Sequence, residues 1–109
     1  MKTTEVSQMI ASVGLPYAYY QFPENTGQQP PFICFYYPQS NDFKADDTNY
    51  KKINALTIEL YTDNKDFGLE ARVEEMLKAN GLVFSWAETY IDSERMHLTT
   101  YYTEVIIDA

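Results

Sequence analysis

Residues 56–107, LTIELYTDNKDFGLEARVEEMLKANGLVFSWAETYIDSERMHLTTYYTEVII, decide the fold. Three hydrophobic periods follow one another with little slack. Residues 54–62, NALTIELYT, alternate: Leu56, Ile58 and Leu60 face one way, Thr57, Glu59 and Tyr61 the other, which predicts a half-buried strand. TDNKD follows as a turn, with Asp63 or Asp66 as N-cap of a helix that runs to about Asn80. Leu69, Val73, Met76 and Leu77 form the buried stripe of that helix. Glu70, Glu74, Glu75 and Lys78 lie mostly outside the stripe, and Glu74 and Lys78 stand at a favourable i,i+4 spacing. Gly81 stops the helix by taking the left-handed position beyond it. Strands at 83–91 and 98–107 complete the run, and the short link DSERMH makes them antiparallel neighbours. Tyr101, Thr103, Val105 and Ile107 share one face of the last strand, and Leu98, Thr100, Tyr102, Glu104 and Ile106 the other.

Upstream of this run, residues 4–13 read as a helix. Val6, Met9, Ile10 and Val13 make one apolar face, Thr4 is the expected cap, Glu5 sits in the first turn, and Gly14 and Pro16 end it. A helix this short must dock on something. YAYYQF, 17–22, reads as a first strand, and PENTGQQPP then breaks regular structure as an exposed, hairpin-like loop. FICFYY, 32–37, is a second strand, apolar on both sides and therefore central or covered. Residues 39–52, QSNDFKADDTNYKK, carry no apolar period and read as an irregular loop with Phe43 and Tyr50 as aromatic anchors.

The order α-β-β-β-α-β-β predicts an α+β domain over residues 1–109. It is one twisted, largely antiparallel sheet of about five strands with two helices packed on one face. The second face is left to water or a partner, with Tyr61, Trp86, Tyr90 and Tyr102 as candidates to line it.

Composition narrows the function classes. Sixteen acids against eight bases give a net charge of −8, which argues against neutralising phosphates and against an anionic membrane surface. The single Cys34 excludes an internal disulfide and fits a buried small hydrophobe made in a reducing compartment. MKTTEVSQMIASVG has no uninterrupted apolar core of the signal-peptide kind, and no stretch has the apolar length a membrane helix needs.

The search for chemistry is unproductive. The one His97 and one Cys34 are far apart in sequence, and Asp42, Asp46 and Asp47 lack the ligand order and central glycine of a calcium loop. His97 beside Glu94 and Arg95 reads as a turn or surface histidine. There is no nucleophile elbow and no phosphate-binding glycine motif. The chain is expected to be no enzyme and to take no metal or cofactor.

Several short features carry a resemblance. They are the LYTD-K-D turn after a strand, the E-x-x-VE-x-x-L helix, the Y-I-x-SE-x-M link and the tyrosine-rich closing strand, with an AD pair shortly before them in FKADDTNYKK. Over roughly residues 31–107 the chain resembles the tail-completion proteins, or tail terminators, of long-tailed phages and of prophages of Gram-positive bacteria. The motifs are structural rather than catalytic. The resemblance implies a homo-oligomeric ring, commonly hexameric, at the head-proximal end of the tail tube. Such a ring stops tube polymerisation and joins the tail to the head. Its partners would be itself, the major tail tube protein and the head connector or head-completion protein, and DNA would pass through it without specific binding. The protein would be made in the host bacterial cytoplasm and reside in the virion. The interface residues this implies are Phe43, Asp46 and Tyr50 in the loop, Tyr61 and Asp63 at the strand end, and Tyr90 and Glu94 near the last turn. The alternatives are a head-closure or connector-type joining protein, a small acidic adaptor, or a ligand-binding domain with an aromatic pocket.

Overall fold

The computed structural model describes the backbone of residues 1–23, 26–45 and 48–108, and the side chains of the same residues except 43–51. Its elements are α1 (Thr3–Ala11), β1 (Tyr17–Tyr19), β2 (Phe32–Tyr36), β3 (Phe43–Ala45), β4 (Thr48–Lys51), β5 (Ile53–Thr62), α2 (Phe67–Ala79), β6 (Ser85–Ile91) and β7 (Met96–Ile106). Five strands form one sheet in the order β1-β2-β5-β7-β6, with β1 parallel to β2 and every other pair antiparallel. This is the predicted α+β class with one largely antiparallel sheet and two helices.

The alternation seen in the sequence positions the core. Leu56, Ile58 and Leu60 of β5 are wholly buried, and register sets Ile58 between Phe35 of β2 and Tyr101 of β7. Val6, Met9, Ile10 and Val13 come down on this face from α1 and the turn after it, and Val73, Met76 and Leu77 from α2. Each fully buried aliphatic side chain contributes about 1.5–3 kcal/mol of transfer free energy. Val13 closes the first helix's apolar face just past its end, where Gly14 takes φ 89°, the left-handed value expected of it.

The caps resolve the sequence alternatives. Asp66, not Asp63, caps α2: its Oδ1 accepts from the Leu69 N–H at 3.0 Å. Helix α1 starts one residue before the predicted Thr4, with Lys2 as N-cap and its N–H donated to Glu5 Oε1 at 2.9 Å. Glu70 is buried rather than outside the stripe, because Lys65 reaches it from the preceding turn at 2.8 Å. Glu74 accepts the Tyr101 hydroxyl at 3.0 Å, so its role is to tie α2 to the sheet.

Two connections differ from the sequence reading. The first strand is short, residues 17–19, and parallel to β2, so the two strands do not form a hairpin. Parallel neighbours need a crossover of about a dozen residues, and its described parts, residues 20–23 and 26–29, lie on the face away from the helices, with Phe22 edge-on to Phe32 at 5.3 Å. Covering by this crossover explains why FICFYY is apolar on both sides. Residues 39–52 are not irregular throughout: β3 and β4 form a two-stranded ribbon that pairs within itself and not with the main sheet. Its base is held by the start of β5, where Asn41 N–H donates to Ile53 O at 2.6 Å and Ile53 N–H to Asp42 Oδ1 at 3.1 Å. No apolar alternation announces this ribbon because it lies outside the core-facing sheet.

Candidate functional site

The register of β5, β6 and β7 gathers two predicted segments at one end of the sheet. Tyr61 stands opposite Leu98, Thr62 opposite His97, and Tyr90 opposite His97 from the other side. The end of β5 and the β6–β7 turn are therefore adjacent, which sequence alone could not establish without the strand order. The ribbon leaves from the opposite end, since Ile53 pairs with Ile106. Ten residues of β5 separate the two ends by about 30 Å at the ordinary strand rise.

Facing decides which residues meet. Tyr61 and Glu94 line one groove, of about 580 Å³, on the sheet face away from the helices. Asp63 is exposed in the β5–α2 turn and borders a separate small cleft with Pro31 and Leu69. Tyr90 and Trp86 do not belong to this outer face. Trp86 pairs with the core residue Tyr101 and Tyr90 with His97, so both project on the helix side, where the helices leave the β6 edge open and the two rings are 55% and 53% exposed. Of the four aromatic candidates for the second face, Tyr61 and Tyr102 are there. Phe43 and Tyr50 fall on the two strands of the ribbon, and Asp46 lies outside the described residues.

The outer groove is built by β2, β5 and the crossover. Phe32 stacks on Tyr61 with ring centroids 4.7 Å apart and planes 19° from parallel, and Tyr20 packs on Tyr36 at 5.2 Å. Glu59 stands among these rings, its carboxylate accepting the Tyr61 hydroxyl at 3.1 Å. Burial pushes the Glu59 carboxyl above its ordinary value, and the bond from Tyr61 partly offsets that. Burial, then the charge of Glu59, pushes the Tyr61 phenol far above its usual range, and the same two causes raise the Cys34 thiol to about 11. A thiol so placed is protonated and inert near neutrality. Sequence reasoning identified Tyr61 and Glu94 but missed Tyr20, Phe22, Tyr36 and Glu59 as their neighbours. The signal was present in the outward parity of Glu59 with Tyr61, and of Phe32, Cys34 and Tyr36 in a strand that needed a cover.

On the helix side, Lys65 joins Glu70 at 2.8 Å and Glu88 at 2.6 Å, while His97 Nε2 lies 3.2 Å from Glu88. The same ammonium lies 4.9 Å from the Phe67 ring centre and 5.7 Å from that of Trp86. Hydrogen bonds to Glu70 and then Glu88 hold the Lys65 amine above its ordinary value, and Lys65, then His97, holds Glu88 below its own. The network shares one ammonium between two carboxylates and sets His97 beside the second of them. Among the described residues no group of three or more His, Cys, Asp or Glu is placed to hold a metal ion, and no helix is long and apolar enough to cross a membrane.

No protein-family model matches the chain, and no curated protein matches it in sequence.

Proposed function

We propose that this protein is a non-enzymatic virion assembly subunit of the tail-terminator kind. It forms a ring, commonly hexameric, on the head-proximal end of a phage tail tube, ends tube growth and joins the tail to the head. The observation that carries this reading is the placement of two unlike surfaces at opposite ends of β5: the ribbon of β3 and β4 at one end, and the turn end with Tyr61, Asp63, Tyr90 and Glu94 at the other. A ring requires a heterologous contact, in which one patch of a subunit meets a different patch of the next. A ribbon unpaired with the main sheet suits insertion into a neighbour, because a two-stranded ribbon alone is marginal in water. The net charge of −8 suits a lumen that repels DNA phosphates and lets the genome pass. The partners in this reading are further copies of the chain, the tail tube protein and the head connector, and the protein ends in the virion.

Deleting the gene in its phage tests the proposal by electron microscopy. Tails of uncontrolled length, or heads without tails, are expected; normal virions refute it. Tails of normal length beside unjoined heads favour the head-closure reading instead. The outer groove favours one further alternative, a ligand-binding or adaptor domain, in which deletion leaves particle assembly unchanged.

A further inference from the structure

The geometry points to the outer groove as a recognition site for a cationic side chain, arginine in preference to lysine, presented by a partner protein. Two carboxylates line the groove, Glu59 at its floor and Glu94 at its rim, and no lysine, arginine or histidine does so among the described residues. Arg95, between Glu94 and Met96 in sequence, does not line it. Glu59 makes no ion pair with a described residue, and its one hydrogen-bond donor there is Tyr61. Elsewhere Glu70 and Glu88 share Lys65, and Asp108 takes the N-terminal ammonium.

The walls select the shape of the cation. Tyr20, Phe22, Phe32, Tyr36 and Tyr61 line the groove together with Glu59, packed on one another in pairs. A guanidinium stacks on such rings and forks onto a carboxylate in one plane, whereas an ammonium offers a point charge without a flat face. The volume of about 580 Å³ holds one long side chain with the extended backbone on either side of it. The strong negative charge of the whole chain draws basic segments toward it. Desolvation of Glu59 among rings costs the fold stability, and a guanidinium inserted beside it offsets that cost. The groove shares Tyr61 and Glu94 with the end of β5 that the ring reading uses, and binding of a free peptide beside Glu59 tests the groove apart from that reading.

The test uses the tripeptide Ac-Gly-Arg-Gly-NH2 as probe, with the lysine and aspartate analogues beside it, followed by NMR at the Met96 methyl and the Glu59 side chain. A single anchored side chain is expected to bind with a dissociation constant of about 1–10 mM. The arginine peptide is expected to bind several-fold more tightly than the lysine peptide, and the aspartate peptide not at all. Glu59→Gln, which keeps an acceptor for the Tyr61 hydroxyl, is expected to weaken binding tenfold or more. Tyr20→Ala, at an exposed ring, is expected to weaken it several-fold. The proposal is overturned if the arginine peptide moves neither resonance, or if Glu59→Gln binds it as well as the unaltered chain. It is also overturned if self-association at high protein concentration moves the same resonances and excess arginine peptide does not reverse the shift, since the groove's occupant would then be a second copy.

Discussion

Replacing Tyr101 by Phe removes a single oxygen from the middle of the molecule and tests how α2 is fastened to the sheet. The ring of Tyr101 is fully buried, opposite Ile58 and Trp86 in register and edge-on to Phe84 at 5.8 Å. Its hydroxyl donates to Glu74 Oε2 at 3.0 Å, with a longer approach of 3.5 Å to Glu70 O. Phe keeps the ring contacts and forfeits these bonds. A hydrogen bond to a charged acceptor contributes about 1.5–3 kcal/mol, and Glu74 is only half-buried, so water replaces part of the loss and the lower end applies. A loss of about 1.5 kcal/mol lowers the urea midpoint by about 1 M, taking a slope near the low end of the range for small domains. Combining it with Glu74→Gln in a double-mutant cycle is expected to return a coupling of about 1 kcal/mol. Burial, followed by Glu74, pushes the Tyr101 phenol far above its ordinary 10.0, so the folded state holds its proton where the unfolded state releases it. That stabilising contribution is complete below about pH 10 and is lost as pH rises toward the folded value, so Tyr101→Phe flattens the alkaline fall in stability. A midpoint change under about 0.3 M together with zero coupling to Glu74 would refute this account of the helix–sheet tie.

Asp66→Ala removes the cap of α2 and is expected to cost about 1 kcal/mol in thermal melts followed by circular dichroism, whereas Asp66→Asn retains most of it. Glu59→Gln is expected to stabilise the fold at neutral pH. The raised carboxyl contributes stability that is present below its ordinary 4.5 and lost as pH rises through the folded value, so the variant's advantage in urea melts is absent at about pH 4, grows through that window and is constant above it. Cys34 in the native protein is expected to resist an aromatic disulfide reagent. Its thiol, raised from 9.0 to about 11, holds about a hundredfold less thiolate near neutrality, and labelling should follow unfolding; prompt native labelling would contradict its burial.

How far the sequence could be read depends on where each residue's determinants lie. The facing of β5 and β7, the stripe Val73-Met76-Leu77 and the stops at Gly14 and Gly81 are local properties of period and backbone conformation, and all were legible. Strand order is not local. Without it, Trp86 and Tyr90 are no more than candidates for the outer face, and their partners Tyr101 and His97 put them on the helix side. The parallel pairing of β1 was hidden because YAYYQF followed by Gly and Pro residues has the look of a hairpin, and direction is decided by the Tyr17–Ile33 pairing across the crossover. The ribbon was hidden because its residues carry no apolar alternation and its strands pair only with each other. Of the site, Tyr61 and Glu94 were legible as surface residues near turns. Glu59, an acid at an outward strand position, reads as solvated until the crossover is seen to fold across it.

The pairing of β5 with β7 along their length has a kinetic meaning. β6 closes on β7 through a tight turn, but β5 meets β7 between Thr62 and His97 at the nearest and Ile53 and Ile106 at the farthest, a longer span of chain than separates β2 from β5. The β5–β7 ladder is therefore the long-range closure that slows folding, and the β6–β7 hairpin and the β2–β5 pair can form ahead of it. Amide exchange should follow position in the sheet instead, slowest in the central strands β5 and β7 and fastest in β1, a three-residue strand at the edge.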